Sequence, residues 1–458
     1  MLFDSSMRAL AHDAVDALFD HVGDVARRPV VDWHSPDELR SRIRIDGRGG
    51  ADAMTLIRML MENAIQLHHP AYMGHQVCPP FPTAVIAEVA IATLNQSTAV
   101  FEMSPIGTVI EQEVVRWLAD RVGYPAGARG TAVSGGSAAN LTGLMAARAR
   151  WKETHPASAR PIILCSADAH YSIARAASIM GIAADGVIKI PTNEQHQLDL
   201  GALAVALRDA GDVLAIVATS GSTATGAFDD LGAIAALRDQ YGTWLHVDAA
   251  HGASVLLSER LRHLVEGLDL ADSLAWDPHK MLWMSLSLGV VLVRDGNWLR
   301  RAFEADAPYL FNTEGASDNI GEMTIQCSKR ADAIKLWLTL QTAGTAPFEA
   351  ALDHVTEVTK YLYERVTTSD DFEAMHDPQF NIFCFRHRSD DATNAALRER
   401  LIRSGRAWIT STLLKGQRVL RVTMINPRTE QGDVDRMLGA LRAMAGPGSA
   451  SQETGARE

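Results

Sequence analysis

Residues 213–230 read VLAIVATSGSTATGAFDD and residues 244–252 read WLHVDAAHG. Each opens as a short apolar run rich in β-branched residues and closes on small and polar ones, and between them Leu231 to Tyr241 carries apolar positions at helical spacing. The same unit recurs on either side. TAVSGG (131–136) precedes a helical pattern from Ala138 to Arg150, and PIILCSADAH (161–170) precedes one from Ser172 to Met180. WLHVDAAHG leads into a helix predicted over Glu259 to Glu266, after which ADSLAWDPHKML (271–282) begins another strand. Strands that are apolar throughout, rather than alternately polar, need cover on both faces, so the pattern predicts a mostly parallel α/β sheet with helices on both sides. The ligand of such a sheet lies beyond the C-terminal ends of its strands.

Outward from this core, residues 1–60 read as a helical N-terminal segment, with Leu10, Ala14, Leu18 and Val22 on one stripe and a turn-rich break from about Asp46 to Asp52. Residues 61–330 make the large domain. Residues 331–445 are expected to form a smaller C-terminal α+β domain: a helix from Ala331 to Thr342, strands in NIFCFRHR (381–388) and VLRVTMIN (419–426), and an amphipathic helix from Gln431 to Met444. The Gly/Ser-rich end, 446–458, reads as a disordered tail.

Composition narrows the function. The chain has 458 residues, 43 Lys and Arg against 55 Asp and Glu, and a net charge of −12, a balance that disfavours a nucleic-acid partner. With 47% hydrophobic and 21% charged residues it is an ordinary globular composition, long enough for two or three domains. No apolar run approaches the roughly 20 residues that span a bilayer, and the N-terminus lacks a basic start followed by an apolar stretch. A soluble, unexported, cytoplasmic protein is expected. Cys78, Cys165, Cys327 and Cys384 are scattered without CxxC or Cys/His spacing, so buried reduced thiols are expected and neither a disulfide frame nor a metal site.

Five segments carry candidate chemistry. ADSLAWDPHKML delivers His279 and Lys280 at a strand end; a lysine in a mostly apolar neighbourhood has its pKa lowered and can condense with an aldehyde as a Schiff base, the alternative being a surface lysine beside a turn. WLHVDAAHG ends its strand on Asp248, followed by Ala249, Ala250 and Gly252, which leave room for a flat ring. A buried carboxylate there needs a positive partner, such as the protonated pyridine nitrogen of pyridoxal phosphate, unless it only caps a helix. The Gly-rich turn from Val133 to Asn140, with Ser137 and Ala138 at its centre, could cradle a phosphate on helix N-terminal amides, though it does not match a nucleotide-binding P-loop. His170 in SADAHYSI and Ser222 in TSGSTATG are ordinary turn formers taken singly. All five fall in order at the C-terminal ends of successive predicted strands, where a doubly wound sheet holds its ligand.

Taken together, SGGSAANLTGL (134–144), SADAHYSI (166–173), TSGSTATGAFDD (219–230), HVDAAHG (246–252) and WDPHKM (276–281) resemble the group II pyridoxal-phosphate-dependent amino acid decarboxylases. These include the glutamate, cysteine sulfinate, diaminobutyrate and aromatic amino acid enzymes. The resemblance extends from HPAYMGH (69–75) and LNQSTAVFEMSP (94–105) to VLRVTMINPRT (419–429), and YLFN with TIQCSKRADAIKLWL looks closest to the glutamate and cysteine sulfinate branch. It implies a fold type I, transferase-like architecture, pyridoxal phosphate as cofactor, a small-molecule amino acid substrate and a homodimer. By the same resemblance Lys280 forms the aldimine, His279 contacts the cofactor phosphate with Ser137 and Ala138, and Asp248 pairs with the pyridine nitrogen. Ala250 and His170 lie on the two ring faces, Ser222 stands near the cofactor hydroxyl or substrate carboxylate, and Arg421 binds a substrate carboxylate.

The sequence departs from that family at two places. The segment 309–326 has no tyrosine after Tyr309, where family decarboxylases carry a loop tyrosine that delivers a proton to Cα. His75 stands about where the glutamate-type enzymes have a glutamine near the substrate, and could act as the acid or reshape specificity. The expected activity is decarboxylation of an L-amino acid to its amine and CO₂. The alternative is the same scaffold turned to oxidative deamination, aldol, elimination or racemisation chemistry. A non-catalytic scaffold is disfavoured because nothing would oblige it to hold both Lys280 and Asp248.

Overall fold

The structure is a computed structural model that describes residues 4–43, 45, 47–304 and 319–446. Beyond Gly446, the tail expected to be disordered lies outside the described residues, as does most of the segment 309–326. Two compact units result: one holds the chain up to Val77, Val355–Met375 and the chain from Ile382 onward, the other Cys78–His354 and His376–Asn381.

The second unit is built on a seven-stranded sheet in the order β1-β7-β6-β5-β4-β2-β3. The strands are β1 Arg129–Val133, β2 Ile162–Ser166, β3 Val187–Ile190, β4 Val213–Thr219, β5 Trp244–Asp248, β6 Ser273–Trp276 and β7 Gly289–Val293. All run parallel except β7, which is antiparallel to both neighbours. β5, β6 and β7 are buried along their whole length, in keeping with strands covered on both faces. The register sets Thr219 beside Asp248, Asp248 beside Ala275, Trp276 beside Val290 and Val133 beside Gly289, so the ends of β1, β4, β5 and β6 and the start of β7 share one edge.

The helix Gly136–Thr154 runs from that edge back along the sheet, burying Leu144, Ala147 and Trp151 in a core with Ile163, Val217, Val291 and Val293. Each large side chain so enclosed is worth roughly 2 kcal/mol of transfer free energy. β1 is an outer strand, and the edge it does not pair is satisfied from the side. The Glu111 carboxylate accepts from the Ala132 N–H and the Thr131 hydroxyl, both at 2.9 Å, and is itself neutralised by buried Lys329 at 2.6 Å.

The first unit carries an antiparallel sheet in the order β10-β11-β9-β8, formed by β8 Phe372–Ala374, β9 Ile382–His387, β10 Thr410–Leu414 and β11 Gln417–Thr423. Lys415 and Gly416, with φ of 49° and 80°, make the two-residue hairpin between β10 and β11. The helices Ser5–Asp24, Pro36–Arg42, Ala53–Asn63, Asp391–Arg403 and Gln431–Ala445 belong to the same unit. Among the described residues no helix is long and apolar enough to cross a membrane.

Two expectations need correcting. The helix predicted over Glu259 to Glu266 is only a short 3₁₀ turn, Arg262–Val265, with another, Gly252–Leu257, before it. The buried residues Leu257, Leu261, Val265 and Leu268 in and around it do have helical spacing, but the Ser258 hydroxyl is given to Asp353 at 2.6 Å and the backbone closes mostly three-residue turns. Of the four cysteines, Cys78, Cys165 and Cys384 are buried free thiols, whereas Cys327 is exposed.

Candidate active site

Strand β6 ends at Trp276 and the chain turns through Asp277 into the short helix Pro278–Met281, where proline fixes the first helical residue and Lys280 follows two places on. Lys280 Nζ lies 3.0 Å from Asp277 Oδ2, a carboxylate that is 1% exposed. The amine therefore sits against a buried carboxylate, which corrects the expectation of a mostly apolar neighbourhood. Asp277 Oδ2 also accepts the Gly136 N–H at 2.9 Å and stands 3.6 Å from His279 Nε2, while Oδ1 has no hydrogen-bond partner in the structure.

This carboxylate ties the lysine to the glycine turn after β1, and the tie needs the glycines. A Cβ on Gly136 would stand 2.9 Å from Asp277 Oδ2 and 3.0 Å from Ala250 Cβ; one on Gly289 would stand 2.5 Å from Gly135 Cα. His279 Nδ1 accepts the Leu288 N–H at 3.1 Å, which leaves the ring proton on Nε2, and burial holds its pKa below the ordinary value.

Asp248, at the end of β5, is buried among neutral donors. Its Oδ2 accepts from Asn140 Nδ2 at 2.9 Å and its Oδ1 from the Ala250 N–H at 3.3 Å. Asn140 also donates to Ser172 Oγ at 2.9 Å, and Ser172 Oγ lies 2.8 Å from His170 Nδ1. Because that nitrogen also accepts the Ser172 N–H at 3.3 Å, the hydroxyl donates to it and the His170 proton is on Nε2. Burial lowers the pKa of His170, with the charges of Asp248, Lys280 and Asp277 all acting on it. The expected set Lys280, His279, Asp248, Ala250 and His170 thus meets at one edge of the sheet.

Ser137 is exposed at the first turn of the helix Gly136–Thr154, and the Ala138 N–H next to it reaches back to Gly135 O at 2.9 Å. Ser222 is buried in its own turn, with its hydroxyl 2.9 Å from Thr225 Oγ1 and accepting from the Ala227 N–H at 3.2 Å.

In the other unit, Arg421 on β11 is 6% exposed; Nη1 donates to Thr410 Oγ1 at 3.2 Å, while Nε and Nη2 have no hydrogen-bond partner there. Burial lowers its pKa, an unfavourable state for a guanidinium without an anion. His75 is exposed, and partial burial with the charges of Arg421 and Arg398 holds its pKa below the ordinary value.

Sequence reasoning overlooked Asp277, Asn140, Ser172 and His246. The signal was there: a carboxylate, an amide and an imidazole inside otherwise apolar strands and helix turns each need a buried partner.

The residues present fit pyridoxal phosphate. Lys280 offers an amine; Asp248 is an enclosed anion met only by neutral donors, suited to a pyridinium; Ser137 and the His279 Nε2–H offer donors to a phosphate; Ala250 is a flat, small wall.

Comparison with known proteins agrees. Residues 57–388 match the model of the pyridoxal-dependent decarboxylase conserved domain. The chain is 36% identical to an L-2,4-diaminobutyrate decarboxylase of Rhizobium meliloti, over 86% of this chain and 82% of that one. It is 30% identical to the cysteine sulfinic acid decarboxylase of Mus musculus, over 96% of each. The crystal structure of mouse CSAD superposes with a TM-score of 0.91 at 28% identity, covering 97% of this chain and 99% of that one. A mixed seven-stranded sheet that gathers a lysine, its carboxylate and a buried aspartate at one edge, in a sequence matched along most of its length, makes this chain a member of the pyridoxal-phosphate-dependent amino acid decarboxylase family.

Proposed function

We propose that the enzyme removes CO₂ from an L-amino acid with a short polar side chain and releases the corresponding amine, and that Arg421 receives a carboxylate of the substrate. The observation that carries the second part is the buried guanidinium of Arg421, whose Nε and Nη2 lack partners. A fork of two parallel donors matches a carboxylate, and the charge is costly to keep enclosed without one. Bound pyridoxal phosphate supplies the electron sink that draws density from the bond broken at Cα. Lys280 carries the cofactor, Asp277 orients the lysine, Asp248 holds a positive charge at the pyridine nitrogen, and His170 and Ala250 flank the ring. Ser137, Ala138 and His279 take the phosphate.

The side-chain class draws on the relatives. Diaminobutyrate and cysteine sulfinate differ in charge but are both short and polar, as the names of the similar decarboxylases record. His75, whose pKa partial burial and then the charges of Arg421 and Arg398 hold below the ordinary value, is assigned as the group that exchanges a proton with the substrate. A homodimer is supported by apolar side chains left exposed on the helix Ser5–Asp24, Leu18 and Phe19 among them, and on the helix Pro82–Leu94, Ile86 and Val89.

The test is to supply the holoenzyme with a panel of L-amino acids and follow CO₂, amine, aldehyde and ammonia together. Equal yields of CO₂ and amine are expected for a short polar substrate; turnover without CO₂ would overturn the reading. The absence of tyrosine from 310–326 favours one second outcome, CO₂ with aldehyde and ammonia, which would reassign the enzyme to decarboxylative oxidation with dioxygen as the oxidant.

A further inference from the structure

Behind Asp248 the polar contacts continue into the core. Asn140 Oδ1 is 2.9 Å from His246 Nε2; His246 Nδ1 is 2.8 Å from Ser273 Oγ; Trp244 Nε1 is 2.8 Å from the same oxygen. Every one of these side chains is buried: Asn140 at 1% exposure, His246 and Ser273 at 0%, Trp244 at 3%. Among the described residues no ion pair reaches this chain of contacts, and the Arg150 guanidinium lies 5.8 Å from the centroid of the Trp244 ring, at the end away from Asp248.

Its direction follows from counting donors and acceptors. An ionised Asp248 only accepts, so Asn140 must present its NH₂ to Oδ2 and its carbonyl oxygen to His246. A carbonyl only accepts, so His246 carries its proton on Nε2. Its Nδ1 is then a lone pair, which obliges the Ser273 hydroxyl to donate. That oxygen in turn takes the indole N–H of Trp244, which can only donate. Each link is forced by the one before it, and all the bond dipoles point toward Asp248. Burial holds the His246 pKa down at about 4, so the ring stays neutral and the orientation does not reverse at physiological pH.

We infer that Trp244, Ser273, His246 and Asn140 form a one-way donor relay whose role is to aim neutral donors at the Asp248 carboxylate and fix its direction without supplying a competing positive charge. A lysine or arginine in place of the relay would also hold an anion, but would neutralise the charge intended for the cofactor. Aligned neutral donors stabilise the carboxylate and leave its field for the pyridinium. The four are positioning residues, since they act through Asp248. Asn140 has a second branch through Ser172 to His170, so one amide sets the hydrogen-bonding state of both ring partners. Gly143 makes the arrangement sterically feasible: a Cβ there would stand 2.6 Å from His246 Cε1 and 3.1 Å from Ser273 Oγ.

The inference rests on Asp248 facing the pyridine nitrogen, and the test separates the two. Wild-type protein and the variants His246→Leu, His246→Gln and Ser273→Ala are titrated with pyridoxal phosphate and with its deaza analogue, in which C–H replaces the pyridine nitrogen. His246→Leu should weaken pyridoxal phosphate binding about tenfold and Ser273→Ala about threefold, while His246→Gln, which can still donate and accept, stays near wild type. For the deaza analogue all three should bind within about twofold of wild type, because there is no ring nitrogen for the relay to act on. Equal losses with both cofactors would show a purely structural role and overturn the relay. A wild-type protein that does not prefer pyridoxal phosphate over the analogue would instead overturn the placement of Asp248. Nitrogen-15 histidine NMR of the wild-type protein needs no variant to fold: His246 should be neutral with its proton on Nε2, and a proton on Nδ1 would refute the proposal.

Discussion

Arg421 and Lys280 face opposite problems. Lys280, half-buried, has its carboxylate, Asp277, at 3.0 Å; Arg421 is more deeply enclosed and has only the Thr410 hydroxyl. Replacing Lys280 by Ala should abolish turnover and leave cofactor that dialysis removes, read from the loss of visible absorbance; sustained multiple turnover would show the lysine is misassigned. Arg421→Met should do two things at once. Without substrate the variant should be more stable by about 1–3 kcal/mol in denaturant titrations, since an enclosed cation gives way to an apolar side chain of similar length. Its KM should rise by roughly two orders of magnitude with the lost paired contact. A rise in KM without a gain in stability would mean that the guanidinium is satisfied in the free enzyme.

At the level of elements, the glycine turn after β1, the turn after β6 and the start of β7 are interlocked through Asp277. Gly289→Ala should therefore destabilise the fold by about 1–3 kcal/mol and weaken cofactor binding together, because the added methyl meets the Gly135 backbone, which cannot yield as a side chain can. A drop in Tm with unchanged cofactor affinity would show that the turn relaxes elsewhere. Most of these elements were legible in the sequence: β1, β2, β4, β5 and β6 each announce themselves as an apolar run closing on small and polar residues. β7 was not, since only a short turn separates it from Lys280 and no helix intervenes to mark a new strand. Likewise Lys280, His279 and Asp248 stand at strand ends, where polar residues attract notice. Asn140, His246 and Ser273 lie within a helix or a strand, and only their pairing in space reveals what they do.

For the whole molecule, acid should be more harmful than base. His68, His246 and His376 all have pKa values pushed down to about 4, chiefly by burial. In the unfolded chain they titrate near 6.5, so between about 6.5 and 4 the unfolded state binds more protons and stability falls as pH falls. For fully enclosed His246 the loss is roughly 3 kcal/mol at most. Asp229, raised to about 6 by burial, acts in the opposite sense and offsets part of it: its folded form takes up a proton first, so acidification favours folding there. Tm should decline steadily below pH about 6.5, and more gently in His246→Gln; a flat profile would show that these rings are solvated.

The antiparallel placement of β7 has a consequence for how the protein is made. β1 leaves the ribosome early, yet the strand it pairs with follows about 160 residues later, and until then its backbone on that side has no partner. The glycine turn that follows β1 is likewise completed only by Gly289 and Asp277. Nascent chains halted before β7 should thus be unable to retain pyridoxal phosphate and should expose a sticky strand to any neighbour, making this a protein whose cofactor can report that synthesis has passed a late checkpoint.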